Sequence, residues 1–143
     1  MPLIAITRAH VRTWKFIPAF IWHSMLSAFQ ARSADGCLAV STLAETYDTY
    51  WSRTIWKSEQ DMRAYVKSGA HREASKWLAD WCDEASGVHW TQDSAEPPTW
   101  EEAHKRMQQE GWPTKVDYPN AAQIAFQVPA PKVGLFSMKM RFK

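Results

Sequence analysis

The residue whose position most suggests chemistry is His71, which follows Gly69 at the start of a predicted helical segment. Imidazole titrates near neutral pH, so it can serve as a general base or as a ligand. The structural alternative is a ring that anchors the break in the helix or reaches a backbone carbonyl. His23 lies on the first predicted helix beside Phe20 and could face the same pocket from the opposite helix. A satisfied position at the surface or core edge is the alternative for His23.

Arg53 is the candidate anion-binding residue, because a buried guanidinium is costly without a carboxylate or an anionic ligand. Alternation along its strand places Arg53 on the same face as Trp51. It is therefore expected to be either an anion clamp in the pocket or one half of a structural ion pair. Tryptophans could form a stacking wall for a flat substrate, although aromatic residues at such spacing commonly form core. The predicted catalytic residues are His71 and Arg53, and the predicted substrate-binding residues are His23, Trp14, Phe20, Trp51 and Trp56.

Motifs for metal, phosphate or a serine nucleophile are missing from the sequence. It has no CxxC or HxxxE-type spacing, no glycine-rich phosphate loop and no GxSxG elbow, so no metal site is expected. Cys37 and Cys82 are expected to be reduced and buried, which favours a cytoplasmic location. A single disulfide between them is the alternative.

Length and charge set further bounds. The 143 residues suit one domain, or one domain with a tail. The 17 basic and 15 acidic residues give a net charge of +2, too weak and mixed for a nucleic-acid footprint. The apolar-rich run from Phe16 to Phe29 is too short and too polar to span a membrane, and no secretory signal is visible.

The elements that must position these residues follow from apolar periodicity and turn signals. The predicted elements are a strand at 3–11, a helix at 16–32, strands at 37–44 and 47–56, a helix in two pieces from 58 to 84, and a strand at 86–92. Ser58 is the predicted N-cap of the broken helix, and Gly69 permits its bend or cap. The buried stripe of the first helix is predicted to be Ile21, Trp22, Met25, Leu26 and Phe29.

The order β-α-β-β-α-β is that of an α+β, ferredoxin-like fold with a four-stranded antiparallel sheet. We expect this domain over residues 1–93, followed at 94–143 by a C-terminal helix and an extended arm. Two helices cover one face of such a sheet, and the second face must find a partner or meet water. A homodimer whose two sheets close face to face is the expected solution. In the alternative, the C-terminal arm wraps the partner subunit.

Three short runs resemble the dimeric α/β-barrel superfamily, near the antibiotic-biosynthesis-monooxygenase-like proteins. The runs are TIWKSE at 54–59, MRAY at 62–65 and SGAH at 68–71. In that group a strand often ends in Trp, Ser-Glu opens a helix, and a Ser- or His-bearing turn follows. The resemblance covers roughly residues 1–93, and the chain more distantly resembles spheroidene-monooxygenase-like proteins. It is more specific for fold than for function, because this fold serves many activities.

The resemblance implies a small homodimeric oxygenase that acts on a flat apolar or aromatic metabolite without flavin or metal. His71 would be the base, and Arg53 or a Trp N–H would steady the developing oxyanion. A haem-binding enzyme with His71 or His23 as ligand is one alternative. In haem-degrading relatives, however, the ligand position corresponds to Ser75 here. A non-catalytic ligand-binding or structural dimer is the other alternative.

Overall fold

The fold is built on an antiparallel sheet with the strand order β5-β4-β1-β3-β2-β6. The computed structural model describes residues 1–134 and 137–143. The strands are β1 Leu3–Val11, β2 Cys37–Ala44, β3 Thr49–Trp56, β4 Cys82–Thr91, β5 Trp112–Pro113 and β6 Met138–Arg141. The helices are α1 Ile17–Ser33, α2 Glu59–Val66, α3 Gly69–Trp81, α4 Trp100–Glu110 and α5 Ala121–Ala125. The ferredoxin-like order is confirmed, but the predicted four-stranded sheet is wrong because the C-terminal segment adds one strand at each edge.

Local sequence signals explain where the helices begin. The Ser58 hydroxyl accepts a hydrogen bond from the Asp61 backbone N–H at 3.2 Å, as expected of an N-cap. Gly69 has φ of +58°, a left-handed conformation that separates α2 from α3. The Thr99 hydroxyl accepts from the Glu102 N–H at 3.1 Å and starts α4. The predicted Ser58 cap and the predicted break in the helix at Gly69 are confirmed.

One face of the sheet, here called the helix side, packs against α1, α2 and α3 in two separate apolar clusters. The first cluster lies at one end of the sheet and contains Leu3, Ala28, Ala31, Cys37, Val40, Trp56, Met62 and Tyr65. The second lies at the other end and contains Ala9, Val11, Phe20, Trp81, Cys82, Ala85 and Val116. Cys37 and Cys82 are free and belong to different clusters, so they form no disulfide with each other in this chain.

The opposite face of the sheet, here called the α4 side, is covered by residues of the same chain. Its apolar cluster joins strand residues to residues of α4 and the segment that follows: Ile4, Ile6, Leu43, Trp51, Ile55, Val88, Trp90, Trp100, Ala103, Met107 and Val128. Trp100, Ala103 and Met107 recur at three- and four-residue spacing, so α4 presents one apolar stripe to the sheet. The sheet is open, and the face expected to need a second subunit is already covered by α4 and the segment that contains Val128.

The outer face of α1 differs from the prediction. The buried residues of α1 are Phe20, Ala28 and Ala31. Small alanines let α1 approach the sheet closely, and the large apolar residues therefore turn outward. Trp22 is 64% exposed and Phe29 is 49% exposed, while Ile21 and Leu26 are also exposed. The predicted buried stripe is thus wrong for these four residues. Among the described residues, no helix is long and apolar enough to cross a membrane.

Candidate functional site

The middle of the sheet's helix side carries polar and small residues between the two apolar clusters. Thr7 and Ser52 are paired across β1 and β3, and their hydroxyls share a hydrogen bond. His89 on β4 lies opposite Ala5 of β1, on the same face. Thr7 is exposed although β1 is a central strand, so the helices leave this part of the sheet uncovered. We call this opening the sheet–helix cleft.

Helix α1 contributes two polar groups to its buried side. The Nδ1 atom of His23 and the Oγ atom of Ser27 are buried and have no hydrogen-bond partner among the described residues. The two residues are one helical turn apart, so they share a face of α1. The His23 ring packs 5.4 Å from that of Trp81 on α3. Buried polar atoms without partners are rare in proteins, and they indicate a place for a ligand or water.

His71 lies on the stripe of α3 that also contains Ala74, Leu78 and Trp81. Its ring packs 4.8 Å from the Tyr65 ring, and its backbone N–H donates to Oε1 of Gln30 at 2.8 Å. Burial lowers the pKa of His71, and a hydrogen bond to the Val66 backbone only partly opposes this effect. The imidazole is therefore neutral near pH 7. With one ring nitrogen donating, the other is an acceptor.

Arg53 lies on the α4 side, away from His71. It is paired with Ile6 and Ser41 in the sheet, and its Nε donates to the Ser41 hydroxyl at 3.1 Å. Its NH1 donates to the Pro98 carbonyl at 2.5 Å, and its guanidinium lies 4.4 Å from the centre of the Trp100 ring. Burial lowers the pKa of Arg53. The structure does not bring Arg53 and His71 together, because the sheet separates them.

The predicted aromatic wall is divided in the same way. Trp51 is buried on the α4 side, where its indole N–H donates to Oε1 of Glu45 at 2.9 Å. Trp56 is buried on the helix side against Tyr65, with ring centres 5.1 Å apart. The two tryptophans therefore face opposite sides of the sheet and cannot stack on one substrate.

The other two aromatic residues predicted to bind substrate, Phe20 and Trp14, do not form a common surface either. Phe20 is a core residue whose ring centre lies 5.0 Å from that of Tyr50. Trp14 precedes α1 and is 72% exposed. Of the predicted substrate-binding residues, His23 is the one that presents an unpartnered polar atom.

His89 on β4 and His104 on α4 have structural partners. Val88 lies on the α4 side of the sheet and His89 on the helix side. The His89 ring meets Trp112 edge-on at 5.2 Å. A ring nitrogen of His104 donates to the Val128 carbonyl at 2.7 Å and ties α4 to the later chain.

Haem does not fit the histidine and serine at the expected ligand position. The Ser75 hydroxyl donates to the His71 carbonyl at 2.9 Å and lies 3.5 Å from Nδ1 of that ring. Serine is not a usual iron ligand. The His71 ring packs against the Tyr65 ring, with centres 4.8 Å apart. We therefore assign no step to haem.

A group of titratable residues lies at the far end of the α4 side. Among the described residues, His10, Asp83 and Glu84 are close enough to hold a metal ion. Nδ1 of His10 contacts Asp83 at 2.5 Å and its Nε2 contacts Asp48 at 3.2 Å, while Arg8 pairs with Glu84 at 3.0 Å. Burial lowers the pKa of His10, but the bond to Asp83 and the nearby carboxylates outweigh it and raise the pKa. His10 and Arg8 are thus already paired with the three carboxylates of Asp48, Asp83 and Glu84.

Sequence reasoning missed Thr7, Ser27 and Ser52 as residues of the cleft. The signal for Thr7 is a hydroxyl at an inward position of β1, between Ala5 and Ala9. Such a polar residue in a buried strand either finds a partner or marks an opening. Ser27 could have been found by its spacing of four residues from His23.

The comparisons with known proteins bear on the family and the fold. Residues 21–77 match the family model described as antibiotic biosynthesis monooxygenase. A comparison with curated proteins gives no match. Among solved structures, a putative antibiotic biosynthesis monooxygenase from Nitrosomonas europaea is 20% identical, with a TM-score of 0.58 over 64% of this chain and 90% of that one.

Two further solved structures show the same fold. A conserved protein from Methanosarcina mazei is 14% identical, with a TM-score of 0.58 over 65% of this chain and 94% of that one. SnoaB from Streptomyces nogalater, described as a cofactor-independent oxygenase, is 12% identical, with a TM-score of 0.53 over 65% and 94% of the two chains. The chain thus has the ferredoxin-like fold of the antibiotic-biosynthesis-monooxygenase-like proteins, and residues 21–77 match the model of that family.

Proposed function

We propose that this protein is an oxygenase-like enzyme that binds a flat apolar or aromatic metabolite in the sheet–helix cleft. The observation that carries the proposal is the pair of buried, unpartnered polar atoms on α1, Nδ1 of His23 and Oγ of Ser27. They lie beside aromatic residues of α3 and on the same side of the sheet as the exposed Thr7. A ligand with a flat ring and one polar edge suits such surroundings.

The family match and the fold shared with SnoaB, a cofactor-independent oxygenase, support chemistry without flavin or metal. In this proposal neutral His71 removes a proton from an acidic CH₂ group of the substrate. The carbanion passes one electron to dioxygen, and the two radicals combine to a peroxide. Loss of water from the peroxide leaves a carbonyl, so one CH₂ and one O₂ give one C=O and one H₂O.

The developing oxyanion needs a donor on the helix side, where Arg53 does not reach. We assign that contact to His23 and Ser27, whose free polar atoms are already fixed by α1. We also propose that the enzyme works in the cytoplasm, in agreement with its two free buried cysteines. A homodimer remains part of the proposal, but it would need a surface other than the sheet face closed by α4.

The test is dioxygen consumption with anthrone, a flat tricyclic ketone that carries an acidic CH₂ group. His71→Ala is expected to lower turnover about 100-fold or more, the usual effect of losing a general base. His23→Ala is expected to weaken substrate binding and turnover together. His104→Gln, on the other side of the sheet, is the matched control and should keep the turnover of folded enzyme.

Two results would contradict the proposal. Unchanged turnover in the His71 and His23 variants would show that the reaction does not take place in the sheet–helix cleft. Tight binding of anthrone without dioxygen consumption would favour the non-catalytic ligand-binding alternative. An absorption spectrum of the purified protein with a Soret band would instead support the haem alternative.

A further inference from the structure

Trp112 brings an aromatic ring from the C-terminal segment to the sheet–helix cleft. It belongs to β5, which pairs with β4 so that Trp112 lies opposite Gly87. The indole lies directly over Gly87, because a Cβ atom at that position would be 3.3 Å from both Cζ2 and Nε1 of Trp112. Val88 points to the α4 side, so the preceding Gly87 faces the helix side. The Trp112 ring is therefore on the side of the sheet that carries the cleft.

Trp112 begins a row of paired residues that crosses the sheet at the cleft. Gly87 pairs with Thr7 of β1, and Thr7 pairs in turn with Ser52 of β3. Neighbouring strands lie about 4.8 Å apart, so the indole over Gly87 stands beside the exposed side chain of Thr7. The hydroxyl groups of Thr7 and Ser52 share a hydrogen bond. The row thus places an aromatic ring next to the pair of hydroxyl groups on the floor of the cleft.

The surroundings of the Trp112 ring leave space for a flat ligand. The residue is 43% exposed, and its ring meets that of His89 edge-on with centres 5.2 Å apart. His89 lies opposite Ala5 in the next row of the same face. Glycine at position 87 and alanine at position 5 carry little or no side chain, so a flat ring can approach the sheet beside the indole. A larger residue at position 87 would displace the indole from the sheet.

The segment that supplies this ring lies outside the residues that match the family model. The match covers residues 21–77, whereas Trp112 follows α4. The exposed indole is therefore contributed by a part of the chain beyond the matched region. An aromatic residue in this position can set which flat molecules the cleft accepts.

We propose that Trp112 is the residue on which the ring of a flat aromatic ligand stacks in the sheet–helix cleft, with His89 holding the indole from its edge. Aromatic rings favour offset-stacked and edge-to-face contacts, and the exposed indole offers a stacking surface to the ligand. The inference rests on the proposed binding of a flat metabolite in the cleft. It supplies the stacking surface that Trp51 and Trp56, on opposite sides of the sheet, cannot form together.

The experiment is an NMR titration of the full-length protein with anthrone in the absence of dioxygen, observing the tryptophan indole N–H signals. The signal missing from the spectrum of Trp112→Phe identifies Trp112. We expect this signal and the Gly87 amide signal to shift as anthrone is added, while the signal of Trp22 stays unmoved. Trp22 is the matched reference, because it is 64% exposed on the outer face of α1. This readout uses the unchanged protein, so it does not depend on how the variants fold.

Trp112→Ala is expected to raise the Kd of anthrone about tenfold or more through loss of the stacked ring. Trp112→Phe keeps a ring and should raise the Kd less than about threefold. Trp22→Ala should bind anthrone as the unchanged protein does. In dioxygen consumption, Trp112→Ala should raise KM by the same factor as Kd and change kcat much less, because stacking acts on binding rather than on proton removal.

An unmoved Trp112 signal at the highest soluble concentration of anthrone overturns the inference. Equal Kd values for Trp112→Ala and Trp22→Ala overturn it too. Dioxygen consumption together with an unmoved Trp112 signal overturns the stacking role alone and leaves the proposed oxygenase activity standing. A shifted Trp112 signal and a weakened Trp112→Ala variant, without dioxygen consumption, support the stacking role and contradict the proposed activity.

Discussion

Trp100→Ala tests whether α4 closes the second face of the sheet within one chain. Trp100 is 5% exposed, packs edge-on against Trp51 at 6.5 Å and lies over the Arg53 guanidinium. Truncating a buried Trp to Ala typically costs about 3–5 kcal/mol. Loss of the cation–π contact adds about 1 kcal/mol. We therefore expect the free energy of unfolding to fall by about 4 kcal/mol, a large part of the roughly 5–15 kcal/mol usual for a domain.

The assay is urea unfolding followed by tryptophan fluorescence and circular dichroism at several protein concentrations. Trp14→Ala is the matched control, because Trp14 is 72% exposed and its loss should change stability by less than about 0.5 kcal/mol. An intramolecular cover also predicts a midpoint independent of protein concentration. A loss below about 1 kcal/mol for Trp100→Ala, or a midpoint that rises with concentration, would refute this reasoning.

Three further predictions concern individual side chains. The pKa of His10 is raised in the folded protein, so its ion pair with Asp83 stabilises the fold below about pH 6.5. This stabilisation is lost as the pH rises through the folded pKa. In denaturant titrations, His10→Gln should therefore lower the free energy of unfolding more at about pH 5.5 than at about pH 8.5. Arg53→Gln should lower the free energy of unfolding by about 1–3 kcal/mol, since it leaves the Pro98 carbonyl without its donor. Dioxygen consumption per folded molecule should be unchanged. A loss of turnover would mean that Arg53 takes part in the reaction. Gly36→Ala should lower the free energy of unfolding by about 1–2 kcal/mol or more, because φ is +79° and the new methyl group would meet the Asp61 carboxylate. An unchanged melting temperature would contradict this prediction.

The parts of the fold that could be predicted from the sequence depend on local signals. The Ser58 cap, the Gly69 break and the alternation of Trp51 and Trp56 across β3 are each set by a few neighbouring residues. These signals indicated the order of elements and the faces of β3 correctly. The resemblance in the runs at 54–71 added the fold family, and the family model matched an overlapping range.

The parts that could not be predicted depend on contacts between distant segments. Periodicity alone cannot tell an outward apolar stripe from a buried one, so Trp22 and Phe29 were placed inside. The alanines at 28 and 31 were the better guide to the face that approaches the sheet. The sequence pattern of residues 94–143 does not indicate whether this segment packs on its own sheet or on that of a partner subunit. The position of Arg53 beneath Trp100 follows from that cover.

The central claim is that the ligand binds on the helix side of the sheet. The most direct measurement is an NMR titration of labelled protein with anthrone, with backbone amides and histidine rings assigned. We predict shift changes at His23, Ser27 and Thr7, with the signals of Arg53 and α4 unmoved. Shift changes confined to α4 and Arg53, or none at the highest soluble concentration of anthrone, would contradict the account.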